Sequence, residues 1–164
     1  MDAQKVAEEL EQPTAQELLK DASLARLAYN GPDGLPRVIP IGFFWNGDEI
    51  VICTAVTSPK VRALSDRPDV ALTIDVGDTP DTAKALSIRG SASVEIVDGV
   101  PSEYIAGSSK GLGEEVVAEF ERNVRELFDQ MARIRIKPRW ARYYDFGAGR
   151  LPKFLSKLAD NASK

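Results

Sequence analysis

The sequence predicts a mainly β domain with helices (α+β), its strands antiparallel, about six in number, and closed into a small barrel. Three observations predict it. Asn46-Gly47 stands between two apolar runs, and both residues tolerate the positive φ that a two-residue hairpin needs. The other apolar runs are joined mostly by short connections, which favour antiparallel neighbours over parallel crossovers. Six such strands expose two edges unless they close, and closure removes both.

Each element follows from local chemistry. Residues 1–12 read as a polar extension, and residues 13–22, PTAQELLKDA, as a helix burying Leu18 and Leu19. Thr14 with Glu17 three residues on matches a capping box. Ser23 to Tyr29 is a short strand, closed by the turn residues Gly31-Pro32-Asp33-Gly34. Val38 to Trp45 is expected to pair with Glu49 to Thr54 across Asn46-Gly47. Pro40 lies inside the first of these and cannot donate to a ladder, so it belongs at an edge, at a bulge or beside a ligand.

Ser58 and Pro59 open a helix as N-cap and N1, Val61 and Leu64 form its inner face, and Pro68 stops it. Val70 to Val76 is a strand and Gly77 to Thr82 a loop. Ala85 to Val97 is a longer strand interrupted at Gly90 and ended by Asp98-Gly99. From Pro101 the period changes: Val116, Phe120, Val124, Leu127 and Met131 recur at helical spacing, so a helix should pack there on the sheet. Arg133 to Lys137 alternates, with Ile134 and Ile136 inward, and Pro138 bends the chain before Trp140 to Phe146. Leu151 to Leu158 is a last amphipathic segment, expected to lie against the body. The chain thus divides into an extension (1–12), one domain (13–150) and a C-terminal amphipathic helix (151–164).

Composition narrows the chemistry. The chain has 164 residues, a formal net charge of −4, one cysteine and no histidine. The charge argues against nonspecific nucleic-acid binding, which needs a basic footprint. A lone Cys53 permits no intrachain disulfide, and no apolar run approaches the roughly 18–20 residues of a membrane span. The N-terminus, MDAQKVAEELEQ, has no signal-peptide hydrophobic region, so a cytoplasmic setting away from membranes is expected. Without histidine there is no Ser–His–Asp or Cys–His catalysis, no histidine zinc site and no histidine-ligated haem. No metal site is expected. Redox or transfer chemistry must rest on an organic cofactor, or on carboxylates and hydroxyls. Tyr29, Tyr143 and Tyr144 are available as acids, but nothing singles one out, so catalytic side chains are unassigned.

Ser58, Lys60 and Arg62 cluster at the start of a helix just beyond a strand's end. A helix N-terminus with added cations suits a phosphate group. The bland roles stay open: Ser58 as an N-cap, Lys60 and Arg62 as solvated cations, Thr54 as a strand threonine, Arg37 as an edge charge. Gly107 to Gly113 lacks the G-x-x-x-x-G-K-[ST] spacing and reads as a mobile loop near a cleft, not a nucleotide loop.

Three segments in order, LARLAYNGPDGLPRVIPIGFFW, ICTAVTSPKVRAL and RPDVALTID, resemble the pyridoxamine 5'-phosphate oxidase-like family of split β-barrel flavoproteins. The resemblance covers Leu18 to Val97 and the strand near Arg133 to Phe146. It implies a six-stranded antiparallel split barrel in which the backbone of Arg37, Val38, Ile39 and Pro40 follows the ring of FMN, or of the deazaflavin coenzyme F420. It further implies that Thr54 contacts ring or ribityl oxygens, and that Ser58 and Lys60 bind the cofactor phosphate, with Arg62 beside them. A homodimer with cofactors between subunits is implied too, with Trp140 and Arg142 candidates to reach the partner's cofactor. The apolar flank of Phe43, Phe44 and Trp45, which would otherwise face water, fits such pairing.

Two departures matter. Pro59 stands where the founding enzyme carries a second phosphate-binding arginine, and the absence of histidine removes a residue that holds pyridoxamine phosphate. The resemblance therefore implies a flavin- or deazaflavin-dependent reductase acting on a small molecule, not a true pyridoxamine phosphate oxidase. The alternative is a non-enzymatic FMN-binding store or sensor.

Overall fold

Gly47 takes a φ of +101°, and Asn46 Oδ1 accepts the backbone N–H groups of Asp48 and Glu49. This turn joins β3 (Phe44–Trp45) to β4 (Ile50–Ala55), so the hairpin forms but is shorter than the run Val38 to Trp45 implies. Its central residues are Gly47 and Asp48, since the Asn46 N–H donates to the Glu49 carbonyl and Asn46 has no positive φ. Gly42 and Phe43 break that run. The part before them is β2 (Pro36–Ile41), which pairs with β1 (Ala25–Asn30) and not with β4. The structure, a computed structural model, describes the backbone of residues 1–162 and the side chains of residues 1–158.

The remaining strands are β5 (Asp69–Val76), β6 (Lys84–Asp98) and β7 (Gln130–Asp145). All pairings are antiparallel, in the order β2-β1-β5-β6-β7-β4-β3. The terminal strands β2 and β3 are separated in sequence only by Gly42 and Phe43, yet no ladder joins them. The expected six-stranded split barrel is thus a seven-stranded sheet curled back on itself and open along one seam. The extra strand arises because one predicted strand serves both sides of the seam. Pro40 sits on β2, an edge strand, as a residue without an N–H requires.

Six helices occur among the described residues: α1 (Ala3–Leu10), α2 (Pro13–Asp21), α3 (Pro59–Asp66), α4 (Ser102–Ser108), α5 (Glu114–Leu127) and α6 (Lys153–Ala162). None is long and apolar enough to cross a membrane. The main core gathers Leu19, Leu27, Ile52, Leu72, Ile88 and Ile134 inside the curled sheet. β4 is buried on both faces, Ile50 and Ile52 in this core, Val51 and Cys53 in a second one with Ile105, Val124 and Met131. Hence its unbroken apolar run, where a half-exposed strand would alternate.

The interruption at Gly90 and the bend at Pro138 are one event. The β6–β7 register shifts between Arg89 and Gly90, and Gly90 faces Pro138. A Cβ at Gly90 would lie 2.5 Å from the Lys137 carbonyl oxygen, so only glycine fits the bulge. β7 continues through the bend as one strand.

Several expectations change. Residues 3–10 of the supposed extension form α1, which buries Val6, Glu9 and Leu10. Gln12, not Thr14, stands at the N-cap of α2, and no side chain caps it. Met131 is fully buried on β7 and not on α5; of α5 only Val124 is buried, while Val116 and Leu127 are exposed. Phe154 and Leu158 of α6 are also exposed, so that face does not pack on the body. The flank of Phe43, Phe44 and Trp45 faces inward: Phe43 is 1% exposed and its neighbours are half-buried against the two cores. Gly107 and Ser108 belong to α4, not to a free loop.

Candidate functional site at the barrel seam

The seam holds a cleft of about 430 Å³. Pro40, Ile41 and Gly42 form one side, Cys53 and Thr54 the other, and Tyr104 and Ser108 of α4 close it. α4 reaches the seam because residue 107 is glycine. A Cβ there would lie 2.8 Å from the Phe43 carbonyl group. Lys110, just past α4, fastens this seat. Its Nζ donates to the carbonyls of Leu19 and Ala22 at 3.2 and 3.0 Å and lies 3.6 Å from the Phe43 ring centroid. Burial pulls the Lys110 ammonium down to about 8, against an upward pull from Asp21. The segment after α4 is tethered at the C-terminal end of α2.

At the mouth of the cleft, β4 ends and α3 begins. Lys60 Nζ donates to Ser58 Oγ at 2.6 Å and to Thr54 Oγ1 at 3.3 Å. Ser58 is the N-cap residue by position, with extended backbone, but its side chain makes no cap bond. Its hydroxyl faces Lys60. No carboxylate among the described residues lies within ion-pairing distance of Lys60, and the first turn of α3 has no acid. Burial alone lowers the pKa of this half-buried ammonium.

The structure therefore brings together Thr54, Ser58 and Lys60, and Thr54 and Pro40 both line the cleft. The other expected residues stand apart. Arg62 is almost fully exposed and reaches only Asp66, at 4.0 Å. Arg37 is held by Asp33 at 2.6 Å and braces the β1–β2 turn. Val38 is exposed on β2, and Ile39 packs on the main core. Trp140 lies on β7 beneath the Arg89 guanidinium, 4.4 Å from its ring centroid, away from this cleft. Arg142 pairs with Glu9 at 2.9 Å.

The residues missed from sequence are Tyr104 and Ser108. Their i, i+4 spacing puts them on one face of α4, but a seven-residue helix holding a glycine gives too short a pattern to read.

Cys53 also lines the cleft. Burial, helped by Glu103, pushes its thiol up to about 11. Only about a thousandth is thiolate at pH 8, against about a quarter for an ordinary cysteine. Iodoacetamide at pH 8 should therefore label the folded protein at least 100-fold more slowly than the urea-unfolded chain, with labelling accelerating toward pH 11. Equal rates would contradict this placement of the thiol.

An antiparallel sheet curled into a barrel and open along one seam is the split β-barrel fold. The family model described as pyridoxamine 5'-phosphate oxidase matches residues 12–145, and the chain belongs to that family. Among solved structures it is similar to a conserved hypothetical protein from Mycobacterium tuberculosis, at 22% identity over 93% of this chain and 89% of that one, with a TM-score of 0.59. It is similar also to an F420 reductase (21% identity, 77% and 94% covered, TM-score 0.53). A third is HutZ, a heme storage protein from Vibrio cholerae (20% identity, 79% and 90% covered, TM-score 0.57). At these identities the likeness is one of fold. No match was found among curated proteins.

Proposed function

We propose that the protein is an oxidoreductase that binds FMN or coenzyme F420 and catalyses hydride transfer to a small molecule. One observation carries this reading: the half-buried Lys60 ammonium, held by two hydroxyls at a helix start, has no carboxylate partner among the described residues. A partly desolvated cation without a counter-charge is unfavourable, and a phosphate ester supplies that charge together with strong acceptors. The residues present fit such a group. Lys60, Ser58 and the start of α3 would hold the phosphate, and Thr54 the hydroxylated chain next to it. Arg62 would add long-range attraction only.

The terminal strand β2 pairs on one side alone, and alternate residues turn their backbone groups away from the partner: those of Arg37 and Ile39 face β1, and those of Val38 are open to a ring's polar edge. Pro40 contributes packing and no donor. Family members bind FMN or F420, and one structural neighbour is named an F420 reductase. When bound, the ring supplies the hydride chemistry; the chain binds, orients and shields it. The rival reading is a store or sensor that binds FMN without turnover. It draws on the absence of any carboxylate or amine among the cleft's lining residues.

The proposal includes a homodimer. With the aromatic flank turned inward, its interface is assigned to the outer sheet face. There the small residues Ala28, Ala71, Thr73, Ala85 and Ser87 share one face with the Arg26–Asp75 ion pair and with Arg89, which lies over Trp140 on β7. On this assignment Trp140 meets the partner's cofactor.

Titration with FMN and with F420, followed by absorbance and fluorescence, tests the reading. Sedimentation of the same samples should give twice the 17.9 kDa chain mass. Saturable binding with turnover of an artificial electron acceptor supports the enzyme, binding without turnover supports the store, and no binding of either overturns both.

A further inference from the structure

The α4 wall of the cleft has a chemistry that phosphate binding does not explain. Its two polar side chains, Tyr104 and Ser108, lie one helical turn apart on one face and both line the cleft. Neither hydroxyl has a hydrogen-bond partner among the described residues, whereas the neighbouring Ser109 hydroxyl is spent on the Ile105 carbonyl at 2.6 Å. Two unspent donors share a cleft whose other lining residues, Pro40, Cys53, Thr54, Phe128 and Met131 among them, are uncharged.

These donors are also positioned in advance. The Tyr104 ring lies against Phe120, with centroids 5.9 Å apart, and meets Phe128 edge-on at 6.4 Å. Such contacts restrict the ring before any ligand arrives, which lowers the cost of binding. Burial, and then the nearby Cys53, raises the pKa of the phenol, so it stays protonated and can donate. The close approach of Gly107 to Phe43 and the Lys110 bonds to α2 hold the whole wall against the seam.

We propose that Tyr104 and Ser108 form a ring-binding wall, donating hydrogen bonds to carbonyl oxygens of an uncharged heteroaromatic ring seated in the seam. This rests on the cofactor reading above. It adds a second recognition element, separate from the Lys60 cluster and blind to the phosphate. An uncharged ring suits a lining without a formal charge; an ionised one would be desolvated there with no partner.

The phosphate-free nucleoside separates the two elements. Riboflavin (or, for a chain that takes F420, the phosphate-free deazaflavin nucleoside) should bind the wild-type protein through the wall, Thr54 and β2, without the Lys60 contact to phosphate. Tyr104→Phe keeps the aromatic packing and removes one oxygen, and Ser108→Ala is a milder second variant. Each should weaken the nucleoside by about 3- to 10-fold, the range expected for one neutral hydrogen bond. The phosphorylated cofactor should lose the same factor, because Lys60 is untouched. The visible band of the bound ring should shift in Tyr104→Phe. Nucleoside and cofactor affinities within twofold of wild type in both variants, with unchanged melting temperatures, would overturn the wall while leaving the cofactor reading intact. Failure of the wild-type protein to bind FMN and F420 overturns the cofactor reading and this inference with it.

Discussion

Replacing Lys60 with alanine should weaken cofactor binding by about 10- to 100-fold, the range for hydrogen bonds to a charged group. The ammonium is the only cation in the Ser58–Thr54 cluster, and no neighbour can replace it. Arg62 points to Asp66 on the exposed side of α3, and Arg37 is committed to Asp33. The serine hydroxyl and the start of the helix remain, so binding is weakened but not abolished. Stability of the cofactor-free protein should change by less than about 0.5 kcal/mol, because Lys60 forms no ion pair among the described residues and its burial costs energy without a counter-charge. Lys60→Arg should fall between, since a planar guanidinium cannot bond both hydroxyls as a compact ammonium does. Affinity for the phosphate-free nucleoside should not change. Thermal melts without cofactor and fluorescence titrations with both ligands check each part. Unchanged affinity for FMN and F420 in Lys60→Ala would remove the phosphate site.

The parts of the fold readable in the sequence are those set by local chemistry. Asn46-Gly47 dictates its turn, Ser58-Pro59 starts a helix, and Gly90 with Pro138 marks one bulge from two strands. The seam was not readable. Ile39, Ile41, Phe43 and Trp45 alternate as if along one strand, and the break at Gly42–Phe43 is imposed by partners far away in sequence. β2 must meet β1, β3 must meet β4, and α4 wedges against Phe43. Nor does a periodic pattern mark where a helix stops: Met131 continues the spacing of α5 but lies on β7, because the chain turns extended at Phe128. At the site the same division holds. Ser58, Lys60 and Thr54 are six residues apart at most, so local geometry brings them together. Tyr104 and Ser108 reach the cleft only through the tertiary fold. Arg62 is expected at the site from its place in the first turn of the helix and Arg37 from resemblance, and each has a local carboxylate within reach that claims it instead.

Changing Glu9 to alanine should destabilise the protein by about 2–3 kcal/mol, the largest effect expected of a single charged side chain here. Its cause lies in how β7 ends. β4 pairs with β7 only as far as Ile136, so β7 beyond the Gly90 bulge has an open edge. α1 covers that edge, and Glu9 supplies the acceptor it lacks. One carboxylate oxygen takes the backbone N–H of Tyr143 at 2.8 Å and the Arg150 guanidinium at 2.7 Å, and the other takes Arg142 at 2.9 Å. The Glu9 side chain is 11% exposed, whereas both arginines are about one-third exposed, which is why the figure falls below that for a fully buried pair. In Glu9→Ala a strand-edge N–H loses its partner and two guanidiniums lose their shared counter-charge. For a chain of this length the melting temperature should drop by about 5–10 °C. Glu9→Gln should recover little of the loss, because its amide nitrogen must face a guanidinium. Arg150→Ala should cost less than Glu9→Ala. The double variant should cost less than the sum of the two, since both changes break the same contact. Limited proteolysis supplies an independent readout: with α1 released, cleavage around residues 11–13 should outpace cleavage elsewhere. A Glu9→Ala protein that melts within 1–2 °C of wild type and resists protease equally would show that α1 is held by Val6 and Leu10 alone, with the carboxylate incidental.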